Sequence, residues 1–131
     1  MLQRRKIGQA LHAELQKSPS GIQGLDEITD GGLPKGRVSL VVGKAGSGKT
    51  LLGMEFLLRG ALEYHEPGVF ISFEETERDL VQNFASLGYD LTALMEKNQI
   101  AIDHMDVTRN DIIETGEFDL EGLFIRLNHA I

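Results

Sequence analysis

The sequence contains no cysteine, which excludes disulfide frameworks, thiolate metal sites and cysteine nucleophiles together. The compartment is left open by this, and a reducing cytoplasm fits. Basic residues are in deficit: 13 Lys plus Arg stand against 20 Asp plus Glu, for a formal net charge of −7. That balance opposes non-specific attraction to nucleic acid or to an anionic membrane surface, so any phosphate binding must be local. No strip of interleaved aromatic and basic residues offers a platform for single-stranded nucleic acid. The four histidines, His12, His65, His104 and His129, show no metal-ligand spacing. Long apolar runs are also missing. The basic N-terminal stretch "MLQRRKIGQALHAELQK" is followed by none, and it reads as neither a secretory signal nor a membrane span. There are no internal repeats and no low-complexity tract. A soluble, cytoplasmic protein is expected, and 131 residues amount to one domain at most, or part of one.

Ile7, Leu11 and Leu15 recur at four-residue spacing, which predicts a helical preface that "SPSG" at 18–21 then breaks. "GIQGLDEITDGGLPKG" reads as an irregular lead-in with one short turn of helix around Leu25 to Ile28. "RVSLVVG", from Arg37, is a β-branched apolar run of the kind that forms a buried parallel strand. From Lys49 to about Tyr64 the residues favour a helix, apolar around much of its circumference and therefore expected to be largely buried. "GVFISF" at 68–73 predicts a second strand. A helix opens at the N-cap candidate Thr76 and ends near Gly88. "LTALMEKN" predicts a further short helix and "QIAIDHM" a third strand. After a polar loop at 106–117, Leu120, Leu123, Phe124, Leu127 and Ile131 share one face of a final amphipathic helix. Strands alternating with helices imply an α/β fold with a parallel sheet, because parallel strands need crossovers that helices supply.

Between the first predicted strand and the helix that follows lies "GKAGSGKT", residues 43–50. Gly43, Gly48, Lys49 and Thr50 satisfy the G-x-x-x-x-G-K-[ST] pattern in the strand-then-helix context its chemistry requires. Glycine lets the loop wrap tightly, so that consecutive backbone N–H groups point inward at phosphate oxygens beside a helix N-terminus. Ala45, Gly46 and Ser47 complete the loop; Gly46, at a free position of the pattern, adds flexibility. Lys49 is expected to reach the β- and γ-phosphates and the Thr50 hydroxyl to ligate Mg2+. The competing reading is a Gly-rich turn with a chance Lys-Thr, which does not account for the context.

Downstream, "FEETE" at 73–77 sets Glu74 and Glu75 just past a strand's C-terminal end, the edge of open α/β sheets where ligands bind. One carboxylate could polarise a water in line with a γ-phosphate. Equally, the pair could be a solvated acidic cluster favouring a helix N-terminus. Spacing alone leaves both readings open.

Taken together, "GIQGLDEITDGGLPKG", the phosphate loop, the "FEE" triplet, "SLGYDL" at 86–91 and "FDLEGLFIRLNHAI" at 118–131 resemble the RecA-like P-loop ATPase domain of the KaiC circadian-clock family. Only the first nineteen or so residues fall outside the likeness, which suggests an N-terminal helical extension at 1–19 and the N-terminal part of the ATPase domain at 20–131. The resemblance implies a module that binds ATP and Mg2+, assembles into a homo-hexameric ring with nucleotide at subunit interfaces, and hydrolyses ATP slowly. It places the catalytic carboxylates at Glu74 and Glu75, with Glu74 as the water-activating base and Glu75 as its partner. A related domain in clock homologues also phosphorylates itself, through a segment that would follow Ile131. The same likeness predicts that the Walker B strand, ending in the Asp that orders Mg2+, would come after residue 131. Without it, 37–42 would lose its neighbours on one side. Two other classes share the phosphate loop: a DNA-acting RecA-type recombinase or helicase-like motor, which the acidic balance and the double Glu oppose, and a non-catalytic interaction module stabilised by nucleotide.

Overall fold

A computed structural model describes residues 15–106 and Asn128. The chain divides into two compact units, Met1–Glu63 and Tyr64–Ile131. Of the predicted helical preface only residues 15–17 are described, and they are not helical: Leu15 is a bend and Lys17 lies in a strand. The polar loop after Asp106 and, apart from Asn128, the final amphipathic helix lie outside the described residues. Among the described residues no helix is long and apolar enough to cross a membrane.

In the first unit, β1 (Lys17–Ser18) pairs antiparallel with β2 (Leu33–Pro34), Lys17 opposite Pro34 and Ser18 opposite Leu33. Gly32 has φ +122°, and a Cβ there would run into the Ser18 carbonyl and Pro19 Cα. The hairpin therefore closes only over glycine. Between the strands, α1 (Leu25–Ile28) is the single turn the sequence suggests. Its Asp26 carboxylate accepts hydrogen bonds from Ser20 Oγ (2.6 Å), Ser20 N (2.8 Å) and Gly21 N (3.0 Å). These bonds, the Ser20 hydroxyl first, hold the Asp26 pKa below its ordinary value of 3.8. A depressed carboxylate contributes stability that is complete above 3.8 and is lost as the pH falls below it through the folded value. Asp26→Asn should consequently lower the thermal midpoint most at neutral pH. The gap from wild type should close in acid, which a pH series of melts would register.

The helix α2 (Lys49–Glu63) follows the expected boundaries. Of its residues Met54, Leu58 and Ala61 are buried, whereas Leu51 and Leu62 are exposed, so it is less buried than its sequence predicts. Arg59 bridges Glu55 (3.1 Å) and Glu63 (2.7 Å) at i,i+4 spacing; exposed pairs of this type contribute about 0.3–0.5 kcal/mol each.

The expected parallel strand at 37–42 is not formed. Val38 is 99% exposed, Leu40 86%, Val42 83% and Val41 52%. A strand exists only by virtue of its ladder, and no described segment pairs with this one. Its backbone groups are left to water, and burial worth about 1.5–3 kcal/mol for each large apolar side chain is unrealised. Val38→Thr with Leu40→Thr is thus expected to leave the chain's urea midpoint unchanged. A clear loss of stability would mean that a strand is in fact docked there.

The second unit carries the parallel pairing the alternation predicts. Strands β3 (Gly68–Ser72) and β4 (Ile100–His104) lie in register, Gly68 beside Ile100 through Ser72 beside His104. Their crossover is α3 (Glu77–Ala85) followed by α4 (Leu91–Glu96). Thr76 caps α3, its Oγ1 accepting from Asp79 N at 3.2 Å, and Asp90 caps α4 through Ala93 N at 3.0 Å. The two helices also end alike. Gly88 (φ +91°) donates to Ala85 O while Tyr89 N donates to Phe84 O, and Asn98 (φ +55°) donates to Met95 O while Gln99 N donates to Leu94 O. Both are left-handed caps that satisfy the last carbonyls. Leu80, Phe84, Leu91, Leu94 and Ile100 form the core beneath.

Candidate phosphate loop and acidic pair

The octet is a formed loop although the segment before it is not a strand. Ser47 N donates to Lys44 O at 3.1 Å, closing a turn whose third residue, Gly46, has φ +78°, the conformation type II turns demand at that place. Gly48 (φ +91°) gives its carbonyl to Leu52 N at 2.9 Å and thereby starts α2. Gly43 sits against the Ser47 hydroxyl, which occupies the space a Cβ at 43 would need. Glycine is favoured at 46 and 48 by dihedral, whereas at 43 a Cβ would need the Ser47 hydroxyl to turn aside.

Lys49 turns back across the loop. Its Nζ donates to Gly43 O at 2.6 Å and Lys44 O at 2.9 Å. An ammonium has three donors, so one remains beyond these two exposed contacts. The first N–H groups of α2 have no partner within the helix and add the positive end of its dipole. Beside the loop lies a depression of about 430 Å3 whose lining combines Gly43, Ser47, Gly48 and the Lys49 side chain with the apolar Val41, Val42, Leu51 and Leu52 and the Glu55 carboxylate.

Thr50, half-exposed, stands one residue into the helix. Among the described residues there is no group of three or more His, Cys, Asp or Glu side chains that could hold a metal. A lone hydroxyl amounts to one ligand of a hard cation at most, the others having to be water or ligand oxygens.

Glu74 and Glu75 belong to the second unit and follow β3 directly. They precede the cap of α3, and Thr76 already serves the helix's Asp79 N–H. The two differ in their surroundings. Glu75 is half-buried: its N–H donates to Ser72 Oγ at 3.0 Å, and its Oε2 accepts from Asn83 Nδ2 at 3.5 Å. Glu74 is exposed. Reading the sequence identified neither Ser72 nor Asn83. A serine in the last strand position and an asparagine eight residues beyond Glu75 carry no spacing signal for such a contact.

Comparison with known proteins bears on the chain's family. The family model "ATPase: KaiC" matches residues 18–131. "Circadian clock protein KaiC2" of Synechocystis sp. is 60% identical over 117 residues, covering 89% of this chain and 21% of the relative. "Circadian clock oscillator protein KaiC" of Prochlorococcus marinus is 39% identical over 130 residues, 99% of this chain and 26% of the relative. The protein of the same name from Synechococcus elongatus is 42% identical over 120 residues, 92% of this chain and 23% of the relative. The chain thus spans between about a fifth and a quarter of the length of these relatives. With residues 18–131 matched by the family model and an α/β fold whose β3–β4 pairing is parallel, the chain belongs to the KaiC ATPase family.

Proposed function

We propose that this chain supplies the nucleotide-binding part of a KaiC-family ATPase, with Mg-ATP as the ligand of residues 43–50. The backbone of Gly43, Ala45, Gly46, Ser47 and Gly48 cradles the phosphates, Lys49 bridges loop and phosphate, and Thr50 gives Mg2+ its protein ligand. The metal would offset phosphate charge when bound. Glu74 acts as the base that orients the attacking water, with Glu75 as its partner. The observation that carries the reading is Lys49, whose two bonds to Gly43 O and Lys44 O tie the loop's start to the helix and leave one donor for a phosphate oxygen. Residues 20–131 form the N-terminal part of the ATPase domain, with 1–19 as an extension. The complete protein is proposed to work as a homo-hexameric ring in the cytoplasm, hydrolysing ATP slowly, in some members with self-phosphorylation.

The test is calorimetric titration of the 131-residue chain with Mg-ATP, alongside an assay of phosphate release. Saturable, Mg-dependent binding with slow release supports the whole reading. Binding without release would favour the module in which nucleotide only stabilises contacts. Absence of binding would sink both.

A further inference from the structure

We infer that Asn83 is a positioning residue for Glu75, an inference that rests on the proposed hydrolytic role of the acidic pair. Glu75 is held at two points. Ser72, only 7% exposed, accepts the Glu75 N–H at 3.0 Å and fixes the backbone at the end of β3. Asn83, two turns along α3, donates its amide to Glu75 Oε2 at 3.5 Å. A carboxylate serving the helix end would turn toward the first-turn amides; Thr76 takes that place, and Glu75 reaches along the helix instead.

The chemistry of the contact is selective. A neutral amide restricts the carboxylate's orientation without neutralising it, as an Arg or Lys partner would. One Glu75 oxygen thus faces Asn83 and the other is left for a water or for its neighbour. Glu74 lacks this restraint, so the two adjacent carboxylates have different duties: one is oriented by the fold and the other is free to follow the reacting water.

The contact is tested without turnover by following the side-chain amide signals of Asn83 in the 131-residue chain by NMR, through the carboxylate range of about pH 3.5 to 6. The amide should shift with pH in wild type and in Glu74→Gln, and the shift should fall in Glu75→Gln to the part owed to Asp79, four residues earlier on the same helix face. A response absent from wild type, or one undiminished in Glu75→Gln, overturns the inference. Kinetics then separates role from fold. Asn83→Ala should lower kcat for phosphate release several-fold with KM for ATP unchanged, and Asn83→Gln should recover part of the loss; unchanged kcat in Asn83→Ala also overturns it. Should wild type release no phosphate, the hydrolytic reading fails while the NMR result still decides whether Asn83 holds Glu75.

Discussion

Lys49→Ala is expected to weaken Mg-ATP binding by at least about a hundredfold. That factor corresponds to roughly 2.8 kcal/mol, the range of a hydrogen bond to a charged group. Two losses combine in it. The phosphate loses its cation, and the loop loses the ties from Nζ to Gly43 O and Lys44 O that connect its two ends. Lys49→Arg tells them apart. It restores the charge, but a planar guanidinium does not reproduce a compact ammonium lying close to two carbonyls, so intermediate affinity is expected. Circular dichroism should be unchanged in both variants because the contacts are exposed. If calorimetry returned wild-type affinity for Lys49→Ala, the octet would not be the nucleotide site.

The second large effect falls on stability. Leu80 is fully buried in the core of the second unit with Phe84, Leu91 and Ile100. Leu80→Ala removes three carbons and leaves a cavity, at a cost of about 2–5 kcal/mol. A domain of this size has only about 5–15 kcal/mol in total, so the urea midpoint should fall steeply. Leu87, two residues beyond the helix and 55% exposed, provides the control: Leu87→Ala should change stability by about 0.5 kcal/mol or less. Equal effects at the two positions would mean that α3 does not pack on its Leu80 face.

The elements read correctly from sequence are those whose signals are local. For α3 the Thr76 cap and Gly88 at the end agree with the reading. The strands β3 and β4 are equally plain, and their parallel pairing follows from the helices between them. The run at 37–42 differs in kind. Its β-branched composition states what it could do with a partner, but pairing is non-local, and no described segment lies against it. The β1–β2 hairpin was missed because two-residue strands of Lys-Ser and Leu-Pro have no period to detect; its best signal is Gly32, where only glycine clears the Ser18 carbonyl. At the site, the motif located the loop residues by number. The fold of Lys49 back over its own loop and the asymmetry between Glu74 and Glu75 depend on carbonyl and amide positions that composition does not encode.

The exposed run 38–42 is bracketed by cations, Arg37 before it and Lys44 after it. Five uncharged residues rich in Val and Leu, without proline, are the type of segment that stacks on copies of itself. Here the flanks oppose that outcome in either orientation. Stacked parallel, Arg37 would meet Arg37; stacked antiparallel, Arg37 would face Lys44. Like charges at both ends act as gatekeepers against self-association, and they leave the run receptive to a different strand, one whose ends are neutral or acidic. Arg37 and Lys44, both exposed, are thus expected to limit self-association of this run although neither takes part in the core.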